Sequence, residues 1–289
     1  MPQNATSASP GPDIATAMTQ RATGENFPVA MRVLPARYRQ HLMAVYGFAR
    51  TIDDIGDRAQ ASERQYLMDE LQTDLGRLYR DGAGDPQTSV IQALAPAVAQ
   101  CSIPEQPFLD LIAANRQDQV ITRYQSLGGL KGYCVLSANP VGRIVLYVFG
   151  QFTPARAKLS DRVCTALQLV EHWQDVGEDY RAGRIYLPGA DLAAYGVAEA
   201  ELGAPRASAA LRSLLAFETQ RARALLDSGA PLVGMLRGYA RLAVAGYLAG
   251  GRAALAAIGQ ADYDVLGVAS RPGKARTAVE MLRVYAIGR

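Results

Sequence analysis

Residues 168–179 read QLVEHWQDVGED, and residues 50–57 read RTIDDIGD. In the first stretch Glu171, Asp175 and Asp179 recur at four-residue steps, with Gln168 one turn earlier. In the second, Asp53 and Asp57 are four apart, with Asp54 beside them. That spacing puts each set of carboxylates on one face of a helix. Like charges so placed destabilise an isolated helix by about 0.2–0.5 kcal/mol per pair. Both rows are nevertheless embedded in apolar, alanine-rich sequence, which points to a cation that neutralises them. Hard oxygen donors suit magnesium, which takes one or two carboxylates and completes its shell with water and substrate phosphate. Either row alone also fits a solvated helix face. Two rows facing each other across a bundle would hold several magnesium ions around one diphosphate.

Helical spacing extends on both sides of these rows. From Pro35 to about Arg80 the apolar positions Leu42, Val45, Tyr46, Phe48, Ala49, Ile52 and Ile55 fall on helical faces. The run DGAGDP at 81–86 breaks the pattern before a helix near 88–100. Pro104 and Pro107 open a further segment to about Tyr124. Residues 126–150 read as a small-faced helix (Gly132, Ser137, Ala138, Gly142) that Pro140 should kink. Pro154 precedes a long helix to about Asp179, and 208–228, 231–259 and 275–287 are again helical. Residues 1–24, rich in Ala, Thr, Ser, Pro and Gly without periodicity, read as a disordered tail. No alternating strand, repeat or long linker is evident, so the expectation is an all-α fold, one domain over 25–289.

Of the 289 residues 49% are apolar, enough for a sizeable core, and the formal charge is +3. The basic residues are scattered, which argues against a nucleic-acid partner. Cys101, Cys134 and Cys164 lack metal or disulfide spacing and are expected to be buried, reduced thiols in the cytoplasm. The apolar stretches near 130–152 and 239–258 carry Lys131 with Arg143, and Arg241 with Arg252, so neither reads as a membrane span. A cytoplasmic protein with peripheral contact at the inner face of the membrane is the expectation. His41 reads as a packing residue. His172 reads as packing or hydrogen bonding behind the acids rather than as a ligand, and Trp173 as core or pocket wall.

These clusters, with their surroundings, resemble the squalene/phytoene synthase family from about Asn26 onward. The carrying blocks are Glu25-Asn-Phe-Pro-Val-Ala30, Leu34-Pro35, Tyr46 through Asp57, Tyr133 through Gly142, Gln168 through Asp179, and Gly183-Arg-Ile-Tyr-Leu-Pro188. The resemblance implies the isoprenoid synthase (class I terpenoid synthase) helical bundle with a central cavity, a magnesium cluster, and head-to-head chemistry on prenyl diphosphates. The blocks at Glu25–Ala30, Ser137–Arg143 and Trp173–Val176 are most similar to the bacterial branch that converts presqualene diphosphate to hydroxysqualene for hopanoids. That branch captures water and uses no NADPH. It also implies handover of product to later enzymes of the same route.

By the same resemblance Asp53, Asp54, Asp57, Glu171, Asp175 and Asp179 are the metal ligands, and Asp53, Asp57, Asp175 and Asp179 carry catalysis. Tyr46, Arg50, Gln168, Tyr263 and Lys274 would bind the diphosphate oxygens. Two departures stand out. Glu171 occupies a position where the family usually has Asn, and His172 one that is commonly apolar. Gln174, where many relatives have Arg, weighs against another head-to-head synthase, making presqualene diphosphate, squalene or phytoene, without closing that reading. Glu171 is the best ground for a non-catalytic isoprenoid-binding protein.

Overall fold

The computed structural model describes residues 34–80, 85–267 and 284–285. The expected tail at 1–24, the block at 25–30, Lys274 and most of the helix expected at 275–287 lie outside them.

Helix α1 (Ala36–Arg58) starts behind Pro35, and α2 (Arg64–Tyr79) follows it. The helical pattern read from Pro35 to about Arg80 is thus two helices. Ala59 turns extended (ψ 157°), and its carbonyl accepts from Arg64 Nε at 3.0 Å, so α2 doubles back on α1. Beyond the break, buried Asp74 accepts from the backbone of Gln87 and Thr88 at 2.7 and 2.8 Å and launches α3 (Ser89–Cys101).

Helix α4 (Gln106–Asp118) stops short of the expected Tyr124. The chain beyond it is extended, and Ile185 N donates to Thr122 O at 2.9 Å beside an isolated bridge between Arg123 and Ile185. The helix expected over 126–150 is two, α5 (Leu127–Ser137) and α6 (Asn139–Val148). Pro140 sits in the first turn of α6, where its missing N–H costs nothing, so it starts a helix instead of kinking one.

Helix α7 (Pro154–Gln174) packs against α5, α6, α10 (Ala209–Gly229) and α12 (Gly238–Gln260). Between α7 and α10 lie the short helices α8 (Val176–Arg181) and α9 (Gly189–Ala194) and a 3-10 turn, Glu199–Gly203. Helix α11 (Leu232–Met235) joins α10 to α12. Close approach is bought with glycine at Gly142, where a Cβ would lie 2.4 Å from both Cys164 Sγ and Ser160 Oγ of α7. The core is one contiguous apolar cluster that includes Trp173, Phe48 and Phe108. Of the described helices only α12 is long and apolar enough to cross a membrane, and it is a core helix, with Ala243, Ala245, Leu248 and Ala249 buried. The cysteines are free; Cys134 is buried and the other two half-buried.

One buried charge cluster fastens α9 to α10. Arg221 Nη1 reaches Glu218 Oε1 at 2.9 Å and Asp191 Oδ2 at 2.8 Å. Burial, with Asp191 alongside, pushes the Glu218 carboxyl from its ordinary 4.5 to about 7 against the pull of Arg221. A carboxyl whose folded value is raised favours the fold below its unfolded value, and that contribution is lost as pH rises through the folded value. Stability is therefore expected to decline between about pH 4.5 and 7 from this group. Urea unfolding at pH 5 and pH 8 should show a smaller difference for Glu218→Gln than for the wild type.

Candidate active site

The acidic face of α1 divides in two. Asp54 turns away into ion pairs along its own helix, with Arg50 Nη2 at 3.0 Å and Arg58 Nη1 at 3.3 Å. Asp53 and Asp57 share the other face. Asn115 Nδ2, from α4, donates to Asp53 Oδ1 at 3.2 Å. Asp53 is reached by water yet walled by protein, and desolvation lifts its carboxyl to about 6. Asn115 opposes that rise, and the nearby charge of Asp57 adds to it.

Asp118 ends α4 one turn after Asn115 and joins the same concave wall. Tyr133 of α5 donates its hydroxyl to Asp118 Oδ2 at 2.6 Å, while Oδ1 is buried without a hydrogen-bond partner. Desolvation raises the Asp118 carboxyl, with Tyr133 and Arg184 pulling it back. Burial in turn drives the Tyr133 phenol far above its ordinary range, so that phenol keeps its proton.

The second acidic row is bent. The expected helix to Asp179 breaks at Asp175 (φ −101°, ψ 13°), between α7 and α8. The bend sets α8 against the 3-10 turn, and Leu266 packs close over Gly177, where a Cβ would meet its Cδ2 at 3.0 Å. The i→i−4 bonds survive on both sides, from Asp175 N to Glu171 O at 3.0 Å and from Asp179 N to Asp175 O at 2.8 Å. Glu171 is exposed, Asp175 and Asp179 are half-buried, and His172 and Trp173 point inward.

The two halves are joined through the end of α8. Gly183, at φ +83°, donates to Tyr180 O, and Arg184 N donates to Asp179 O at 2.9 Å. This is the paired-bond ending that a left-handed glycine makes after a helix. It turns the chain so that Arg184 Nη2 reaches Asp57 Oδ1 at 2.8 Å, back on α1. Two residues on, the Tyr186 ring stacks on His172 with centroids 3.7 Å apart and planes 15° apart.

Of the expected site residues, Asp53, Asp57, Gln168 and Asp179 thus come into one connected region. Tyr46 and Arg50 sit on the turns of α1 before Asp53. Tyr263 follows α12 in a left-handed conformation, and its hydroxyl folds back to 3.8 Å from the Cβ position of Gly259. It makes no hydrogen bond to the acidic rows among the described residues. Asn115, Asp118, Tyr133, Arg184 and Tyr186 complete the region without having been singled out from sequence. Tyr133, Arg184 and Tyr186 lay inside the recognised blocks. Asp118 carries no periodic signal, because it has no acid one turn away.

Among the described residues no three His, Cys, Asp or Glu side chains converge as a ready-made cage. The donor set fits magnesium all the same. Its oxygens are hard, Asp118 Oδ1 is buried without a hydrogen-bond partner, and this ion keeps waters and shares phosphate rather than needing a cage.

The squalene/phytoene synthase profile matches residues 20–283. Hydroxysqualene synthase of Rhodopseudomonas palustris is 37% identical over 219 residues, covering 74% of this chain and 72% of that protein. Hydroxysqualene synthase of Sinorhizobium fredii is 34% identical over 218 residues, with the same coverage. Among solved structures, squalene synthase HpnC from Alicyclobacillus acidocaldarius aligns with a TM-score of 0.78 and 39% identity, covering 87% of this chain and 94% of that one. A dehydrosqualene synthase in complex with ligand aligns with a TM-score of 0.80 over 94% and 95%, at 24% identity, a likeness of fold. The chain belongs to the squalene/phytoene synthase family and has its all-α isoprenoid synthase fold.

Arg184 is the tie between the two acidic segments, and its loss should be felt in binding more than in stability. Its partner Asp57 is 56% exposed, so the pair is screened and Arg184→Gln should change the unfolding free energy by at most about 1 kcal/mol. Affinity for inorganic pyrophosphate with magnesium, read by calorimetry, is expected to fall about tenfold.

Proposed function

We propose that this protein is a magnesium-dependent hydroxysqualene synthase: it ionises presqualene diphosphate, lets the cation rearrange and delivers water to it, without NADPH. The observation that carries the ionisation is the Arg184–Asp57 tie, which brings the Asp179 end of the second acidic segment to the first. The choice of product is supported by the relatives named hydroxysqualene synthase.

The chemical problem is a leaving group that departs with the electron pair of its C–O bond. Asp53, Asp57, Asp175 and Asp179, with Glu171 adjoining, would hold the magnesium ions, which neutralise charge developing on the diphosphate, whereas Asp54 is turned away into its pairs with Arg50 and Arg58. Arg50, Tyr46 and Gln168 hydrogen-bond its oxygens, and Tyr263 and Lys274 are proposed for the same role. Apolar walls keep other nucleophiles from the cation, so that a single water adds and loses a proton to give the alcohol. The Tyr133 hydroxyl is held by Asp118 Oδ2 and keeps its proton, so the phenol is not a loose nucleophile.

We place this chemistry in the cytoplasm, with the enzyme touching the inner face of the membrane. Val120, 78% exposed, and Ile121, 40% exposed, follow Asp118 directly and support such a contact. The product would pass to later enzymes of a hopanoid route.

Asp53→Asn and Asp175→Asn should each lower turnover at least about a hundredfold at subsaturating magnesium, with the far-ultraviolet dichroism unchanged. Unchanged turnover would remove the metal role. The product itself is checked by chromatography with mass detection in water labelled with heavy oxygen. The label should appear in hydroxysqualene, and added NADPH should leave the product unaltered. Squalene formed only with NADPH, or phytoene from a C20 donor, would replace the assignment with another head-to-head synthase.

A further inference from the structure

His172 is where contacts from both sides of the second acidic segment meet. Its ring is buried, 7% exposed, and cannot swing, because Tyr186 stacks on one face at 3.7 Å. Gln168 Nε2 lies 3.3 Å from His172 Nε2. An amide donating there leaves the ring proton on Nδ1, which faces Asp179 Oδ2 at 3.8 Å.

That oxygen of Asp179 is buried and has no hydrogen-bond partner. The crevice around it, lined by His172, Val176, Ile185, Tyr186 and Leu202, has no room for a water molecule. The imidazole, not solvent, is therefore in position to serve it. A separation of 3.8 Å is longer than a hydrogen bond, yet a small rotation of the carboxylate closes it. Asp179 belongs to α8, on the far side of the bend at Asp175, so it depends on such a contact more than an acid within α7 would.

We propose that His172 is a positioning residue: through Nδ1–H it fixes the orientation of the Asp179 carboxylate, leaving the other oxygen for a divalent cation. Carboxylates that hold a metal are themselves held by hydrogen bonds, and loss of such a partner costs about 10–100-fold in metal affinity. The inference rests on the magnesium reading above and deepens it. It also accounts for a polar side chain at a place where an apolar one would pack as well against Tyr186.

The test uses the full-length protein with inorganic pyrophosphate and reads the magnesium concentration at which half of the thermal shift appears. His172→Leu removes the donor. His172→Asn places an amide nitrogen where Nδ1 was, and His172→Gln places one where Nε2 was. The midpoint should rise about tenfold for His172→Leu and His172→Gln, and return to within about threefold of wild type for His172→Asn. Melting temperatures without magnesium verify that each variant folds, and the Asn–Gln contrast decides the matter if the leucine variant does not. Equal midpoints for the Asn and Gln variants, or a wild-type midpoint in His172→Leu, would overturn the inference while leaving the magnesium reading intact. A wild-type protein with no magnesium-dependent shift would overturn both.

Discussion

Mutual repulsion among carboxylates is the constraint around which this molecule is arranged. Burial raises the proton affinity of Asp53 and Asp118, and the nearby charge of Asp57 adds to it at both. Within α1 the charge of Arg50 relieves Asp53 only in part, and Arg50 and Arg58 both pair with Asp54. Further relief comes from other elements: Asn115 and Tyr133 donate hydrogen bonds, and Arg184 supplies positive charge. The compensation is partial, and that residue of uncompensated negative charge is what a cation site requires.

Delivering Arg184 to Asp57 takes several local devices in series. Pairing of the segment after α4 with the segment after α8 anchors Ile185 to Thr122. Gly183 supplies the positive φ that ends α8 and reverses the chain. The bend at Asp175 sets the direction of α8 beforehand. The rigid body behind these devices is α7, seated among α5, α6, α10 and α12, with Gly142 letting α6 come within contact of it. The stiff bundle thus holds the two acidic segments, while a short turn makes the connection between them.

The departures at 171 and 172 have different structural weight. Glu171 is exposed near the end of α7. His172 is packed under Tyr186, where any change of shape or polarity is felt by Gln168 and Asp179 together. A family pattern tolerates the first kind of change more readily than the second, because a buried polar group must find its partners inside the protein.

The sequence by itself determined the helical class, the two acidic rows and the family, because each of these is written in spacings of three, four or a few consecutive residues. Asp53 with Asp57 and Glu171 with Asp175 and Asp179 are periodic within one segment and so were readable at once. The breaks at Ala59, Ala138 and Asp175 were not, since a helix that stops and restarts keeps nearly the same apolar rhythm on both sides. Only the tertiary structure decided that Asp118 belongs to the site, that Asp54 faces away from it, and that Arg184 closes it. Those facts depend on pairs 127 and 62 positions apart in the chain, Arg184 with Asp57 and Asn115 with Asp53, and no local period records which distant side chain will meet a given charge.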